Sequence, residues 1–145
     1  MIIKQAITLL NKLGVSVYVD WLDSGMPKYT DGSTAKRIKD KIRQNDKFIL
    51  LATESAINSK WCNWELGLGD AAKYINNIAL FPINKSSQSF YGSEYLRIYP
   101  RIEYQDGTTK YTSGFYIPSG YYVIYPVDES GNSIIYSLKD WLKRK

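Results

Sequence analysis

The chain has no histidine among its 145 residues and a single cysteine, Cys62. The first absence excludes Ser-His-Asp and Cys-His catalysis, the HExxH zinc site and the imidazole proton switch. The second excludes an intramolecular disulfide and every metal site built from several thiolates, so no metal is expected. No apolar run approaches the ~18 residues that span a bilayer. The first 14 residues lack a small-residue cleavage site after an apolar core, so no secretory signal is read there. A thiol-poor chain of this kind is expected in the cytoplasm, without membrane contact. Its chemistry is left to carboxylates, hydroxyls, lysines, backbone groups or a bound cofactor.

What is present describes a globular domain. Hydrophobic residues make up 44% and charged residues 23%, a balance that supports a packed core. One domain over residues 1–145 is expected, with an α/β part at 1–84 and a β-rich tail at 85–145 packed on it. Ten of the thirteen tyrosines fall in the tail. The net charge of +5 tolerates anionic nucleotides. Its densest run, Lys36, Arg37, Lys39, Lys41 and Arg43, is interrupted by Asp40 and fits a solvated helix face. With no recognised motif and no concentrated basic patch, nucleic acid is not an expected partner.

In the first part, helical and strand patterns alternate. Ile3, Ala6, Leu10 and Leu13 recur at helical spacing, and Gly14 is a good helix stop. Residues 15–19 read as a buried strand ending at Asp20, followed by a turn-rich loop over 21–33. Ser33 or Thr34 can cap a second helix whose inner stripe is Ala35, Ile38 and Ile42, closed by Asn45 and Asp46. A strand is expected over 47–53, a third helix over 59–76 and a strand over 78–83. Such alternation implies parallel strands with right-handed crossovers, and continuous apolar runs imply strands covered on both faces. Ligands in such sheets bind beyond the carboxyl ends of the strands, which places residues 20–33 and 53–65 on one edge. In the tail, residues 95–104 alternate apolar and polar. Asp106-Gly107 signals a hairpin before 108–111, and further strands are expected over 121–127 and 133–136. A short helix over 138–143 ends the chain.

The third helix carries the most telling residues. On a wheel of ~100° per residue, Trp61, Trp64, Leu68, Ala72 and Ile75 share one arc, and Glu65 falls at its rim. A carboxylate edged by indoles is partly desolvated, which raises its pKa, while nearby cations or donors lower it. From composition alone a surface glutamate beside core tryptophans fits better. Cys62, without a histidine to activate it, fits a small buried hydrophobe.

The segment Ser59-x-Trp61-Cys62-x-x-Glu65-Leu66 resembles the SxWCxxEL helix of Toll/interleukin-1 receptor (TIR) domains of the bacterial type. It follows the hydrophobic run Phe48-Ile-Leu-Leu-Ala-Thr-Glu-Ser55. Val17-Tyr18-Val19-Asp20 resembles the family's second strand, residues 21–33 stand where it has its long BB loop, and Ile78-Ala-Leu-Phe-Pro-Ile83 resembles its fourth strand. The resemblance covers residues 1–84 well and the tail poorly. It implies a flavodoxin-like parallel sheet flanked by helices, here without the family's usual first strand and with a tyrosine-rich, β-rich C-terminal extension.

Many bacterial TIR domains cleave NAD+ at the nicotinamide–ribose bond or cyclise the product. The resemblance therefore implies an NAD+ nucleosidase or ADP-ribose cyclase with Glu65 as catalytic residue and NAD as substrate, not cofactor. Its setting would be bacterial anti-phage signalling, with self-association through TIR surfaces and a downstream effector that responds to a nucleotide product. Trp21 and Trp61 have the ring area to stack on a base or on nicotinamide, and Asp20 and Asp23 have the oxygens to bind ribose hydroxyls. Core packing and local loop bonds are the competing roles. Lys28, Lys36 and Arg37 can meet a pyrophosphate or simply be solvated. Two other readings use the same residues: a non-catalytic assembly module contacting partners through Gly25-Met26-Pro27, and a nucleoside deoxyribosyltransferase-like enzyme.

Overall fold

The computed structural model describes residues 3–17, 32–52, 67, 75–82 and 98–144. Helix α1 is Ile3–Lys12 and helix α2 is Gly32–Gln44. Strand β1 is Phe48–Ala52, a 3-10 turn spans Ile75–Asn77, and strand β2 is Ile78–Pro82. Strands β3, β4 and β5 are Arg101–Gln105, Gly120–Ile124 and Ile135–Ser137, and the short helix α3 is Leu138–Lys143. The strands form one sheet in the order β1-β2-β3-β4-β5. The pairs β1–β2 and β2–β3 are parallel, and β3–β4 and β4–β5 are antiparallel. The chain is thus α/β, with flanking helices and a mixed sheet that is parallel over its first three strands, consistent with the expected flavodoxin-like class.

Helix α1 stops where its pattern predicts. The amide of Leu13 still bonds back to Leu9 and Leu10, that of Gly14 reaches Asn11, and Gly14 then takes φ +83°. A residue with a Cβ is strained at that angle, so the helix terminates there. Val15 and Val17 pack half-buried against the core without strand structure, a correction at 15–17 to the strand expected over 15–19, of which 18 and 19 lie outside the described residues. They show a strand's alternating burial, but 15–17 join no ladder among the described residues. Helix α2 begins a residue or two before the expected caps Ser33 and Thr34, an ordinary boundary difference. Its inner stripe is confirmed at Ile38 and Ile42, both buried one turn apart. Of the expected third helix, Gly67 is helical and Ile75–Asn77 form a 3-10 turn before β2, while 59–66 and 68–74 lie outside the described residues.

The main core lies on one face of the sheet. Ala6 and Leu10 of α1 meet Ala79 and Phe81 of β2, Ile102 of β3, Val123 of β4, and Leu138 and Trp141 of α3. On the other face, Ala52, Ile78, Leu80 and Tyr99 form a second cluster, and Ile117, Tyr122 and Ile124 a third. Helix α3 is short but well capped. Ser137 Oγ accepts from the Asp140 amide, and the Asp140 carboxylate in the first turn complements the helix dipole.

The hairpin expected from Asp106-Gly107 into 108–111 is not formed. Asp106 Oδ1 accepts instead from the amide and hydroxyl of Thr108, and Gly107 takes φ +90°. This side-chain turn opens a long connection, and β3 pairs with β4 in the register Ile102↔Val123 and Tyr104↔Tyr121. Within the connection, Lys110 and Tyr116 form a small bridge that directs Ile117 under the sheet.

Candidate functional site

The parallel register decides where a ligand edge can be. Phe48 pairs with Ile78 and Ala52 with Pro82, so β1 and β2 end together. The amide of Leu80 donates to the carbonyl of Pro100 (2.8 Å), which brings β3 alongside in the same direction. The carboxyl ends at Ala52, Pro82 and Gln105 therefore share one edge, where open α/β sheets bind their ligands. The SxWCxxEL segment follows Ala52 in the sequence. Glu65, Trp61, Trp21, Asp20 and Asp23, the residues expected to act on substrate, lie outside the described residues, as do Trp64, Cys62, Lys28, Met26 and Pro27. Of the two cations expected at a pyrophosphate that are described, Lys36 is exposed and Arg37 half-buried on α2.

Near the same edge the structure assembles a group that the sequence pattern alone did not single out. Tyr121 of β4 lies between two rings. Phe81 is 6.1 Å away at 58°, and Tyr104 is 5.2 Å away, edge-on at 62°. Such tilted pairs suit the ring quadrupoles and hold Tyr121 at a defined angle. Burial, then the neighbouring Tyr104, raises the Tyr121 pKa, so its hydroxyl stays a proton donor at neutral pH. Beside it runs a groove of about 330 Å³ lined by Lys4, Gln5, Thr8, Leu9, Lys12 and Tyr121. The recurrence of Lys4, Thr8 and Lys12 every four residues was visible in the sequence. That β4 would come to lie against that flank of α1 was not.

At the opposite end of the sheet stands a cluster of different character. The Lys47 ammonium donates to Asn77 Oδ1 and lies 4.7 Å from the Trp141 ring centroid. Trp141 Nε1 donates to the Tyr125 hydroxyl (3.2 Å), which donates to the carbonyl of Asn76 (3.4 Å). Arg144 lies over Tyr136 at 4.3 Å. Burial and then Arg144 lower the Lys47 pKa, against a smaller upward effect of Asp46. This cluster joins α3 to the amino ends of β1 and β2, away from the ligand edge, and its groups satisfy one another. It acts as a clamp.

Comparison with known proteins adds a functional context. The chain is similar to a Bacillus cereus (strain MSX-D12) protein named probable 3′ cyclic ADP-D-ribose synthase ThsB′, with 35% identity over 97 residues. The match covers 62% of this chain and 48% of that protein. The chain thus spans about half the length of the curated relative it matches. No protein-family model matches the chain, and no solved structure matches it. Among the described residues no helix is long and apolar enough to cross a membrane.

Proposed function

We propose that this chain is a TIR-like enzyme that breaks the nicotinamide–ribose bond of NAD+ and closes the ADP-ribosyl product into a ring. The observation that carries the reading is its 35% identity to a protein named as a cyclic ADP-ribose synthase. The SxWCxxEL-like motif, following β1 of an α/β sheet, supports it.

The chemistry suits a chain without histidine. Nicotinamide is attached as a cation and leaves as a neutral base, carrying the electron pair of the broken C–N bond. It needs no general acid, unlike the leaving oxygen of an ordinary glycoside. Positive charge develops on the ribose, and the Glu65 carboxylate stabilises it while holding a ribose hydroxyl. A hydroxyl of the adenosine ribose then attacks the anomeric carbon, forming a C–O bond and losing its proton. Attack by water gives free ADP-ribose instead, so the ring product requires water to be held out. Trp21 or Trp61 stacks on the departing ring, and Asp20 and Asp23 orient ribose hydroxyls. Self-association and an effector that reads the product complete the proposal, in the anti-phage setting that the TIR resemblance implies.

The test is nicotinamide release from NAD+ by the purified chain at high protein concentration, beside Glu65→Ala with its fold confirmed by circular dichroism. Release is expected to fall at least ~100-fold in the variant, the loss that accompanies removal of a charge-stabilising group. Mass spectrometry then distinguishes a cyclic from a linear product. A folded chain that releases no nicotinamide overturns the reading in favour of an assembly module.

A further inference from the structure

We propose that the groove between α1 and β4 is a nucleotide-binding site in its own right, with Lys4 or Lys12 holding the phosphates and Tyr121 receiving the base. This site uses none of the residues assigned to NAD+ cleavage and does not rest on that reading.

Among the described residues its charge has no acidic partner. Helix α1, Ile-Lys-Gln-Ala-Ile-Thr-Leu-Leu-Asn-Lys, contains no acidic residue. Lys4 and Lys12 are exposed, and neither has an ion pair among the described residues. Eight residues of helix separate them, about 12 Å along the axis, so they stand at the two ends of the groove. Thr8, midway, turns its hydroxyl hydrogen back to the Lys4 carbonyl (2.9 Å). The opposite flank of α1 is committed to the core through Ala6 and Leu10, which fixes the helix that carries the lysines.

The remaining lining is the amide side chain of Gln5, Leu9 and Tyr121. Leu9 is half-buried, and the Tyr121 ring is braced by Phe81 and Tyr104. An aromatic surface with a cation to one side complements a molecule that is aromatic at one end and anionic at the other, and the groove offers that pairing with Lys4 or with Lys12. Its protonated phenol adds a donor for a ribose or phosphate oxygen. The volume of about 330 Å³ stands at the small end of ligand pockets and accepts one nucleotide, not a length of nucleic acid. Tyr121 is paired with Tyr104, one residue from the carboxyl end of β3, so this wall of the groove lies near the ligand edge of the sheet.

The experiment is isothermal titration of ADP into the full chain, into the double variant Lys4→Gln/Lys12→Gln, and into Glu65→Gln. The lysines are exposed on the solvent flank of α1, so the double variant should fold normally, checked by circular dichroism. Saturable one-to-one binding is expected in the wild type, weakened at least ~10-fold in the double variant and by added salt. Glu65→Gln should bind ADP within about twofold of wild type. No ADP binding by the wild-type chain overturns the proposal. So does equal binding by the double variant. Binding lost in Glu65→Gln but kept in the lysine variant assigns the nucleotide to the cleavage site and also overturns it. Nicotinamide release is measured separately, so failure of the cleavage reading leaves this outcome legible.

Discussion

Strands β2 and β3 lie side by side in the same direction, yet their surroundings differ. In β2, Ile78, Ala79, Leu80 and Phe81 are all buried, two towards each face. In β3, only Ile102 and Gln105 are buried, Tyr104 is 55% exposed, and Arg101 pairs with Glu103 on the surface at 2.8 Å. The sheet changes character across this boundary. On the β2 side it is a doubly covered parallel sheet. On the β4 side it is antiparallel, covered by helices on one face and by the connection 106–119 on the other. A strand covered on both faces must be apolar throughout, whereas one with an open face can alternate. The ladder therefore carries stability on one side and leaves side chains free for contact on the other.

The sharpest way to break this contrast is to remove the residue common to both parts. Trp141 is fully buried in the core that joins α1, β2, β3 and β4. Trp141→Ala is expected to cost about 3–5 kcal/mol, read as a lower urea midpoint with loss of α3. It also removes the aromatic face beneath Lys47 and the donor to Tyr125.

A matched pair of truncations measures the contrast itself. Leu80 is completely buried in the parallel part, and Ile117 is 5% exposed under the antiparallel part. Leu80→Ala should cost about 2–5 kcal/mol and lower protection from hydrogen exchange throughout the sheet. Ile117→Ala should cost less, about 2 kcal/mol or below, because a surface connection can close over the gap. Its loss of protection should be confined to 106–119 and the outer side of β4. Equal and global effects from both would mean that the two parts unfold as one unit.

The smallest expected effect is a pH dependence at the clamp. The folded-state pKa of Lys47 is lowered from 10.5, chiefly by burial. Below that lowered value both folded and unfolded chains hold the proton, and the folded chain bears the cost of a partly desolvated charge. As pH rises towards 10.5, the unfolded chain binds more protons than the folded one, so stability contributed by Lys47 rises. The tyrosines oppose this above pH 10, since burial raises the pKa values of Tyr121, Tyr122 and Tyr125 in the folded chain. Comparison with Lys47→Met isolates the lysine. The stability of wild type relative to the variant should increase between neutral pH and 10.5, followed by urea titration at each pH.

Local pattern carried much of the architecture. Helix α1 with its glycine stop, the apolar strands at β1 and β2, the buried Ile38 and Ile42, and α3 were all legible, because each depends on contacts within one element or on strand periodicity. The pairing of β3 was not. Asp106-Gly107 has hairpin composition, but the Asp106 side chain satisfies Thr108 and the strand finds its partner at 120–124. A turn signal is local, and a ladder partner fourteen residues further on is chosen by burial of Ile102 against Val123 and the main core. Residues 15–17 differ for the same reason: alternating valines meet the core without joining a ladder.

By itself the sequence determined the α/β class, the helical and apolar segments of the first part, and the chemistry available to a chain with no histidine and one cysteine. It also contained the Glu65 motif on which the proposed NAD+ chemistry rests. Tertiary structure alone decided that β3 takes its antiparallel partner at 120–124, that Trp141 locks the C-terminal helix to the strands, and that Tyr121 meets the lysine flank of α1. The reason is physical. Composition and periodicity act within a few residues, whereas these features join positions far apart in the sequence, Tyr121 and α1 by more than a hundred residues, through shared burial that exists only once the sheet has closed.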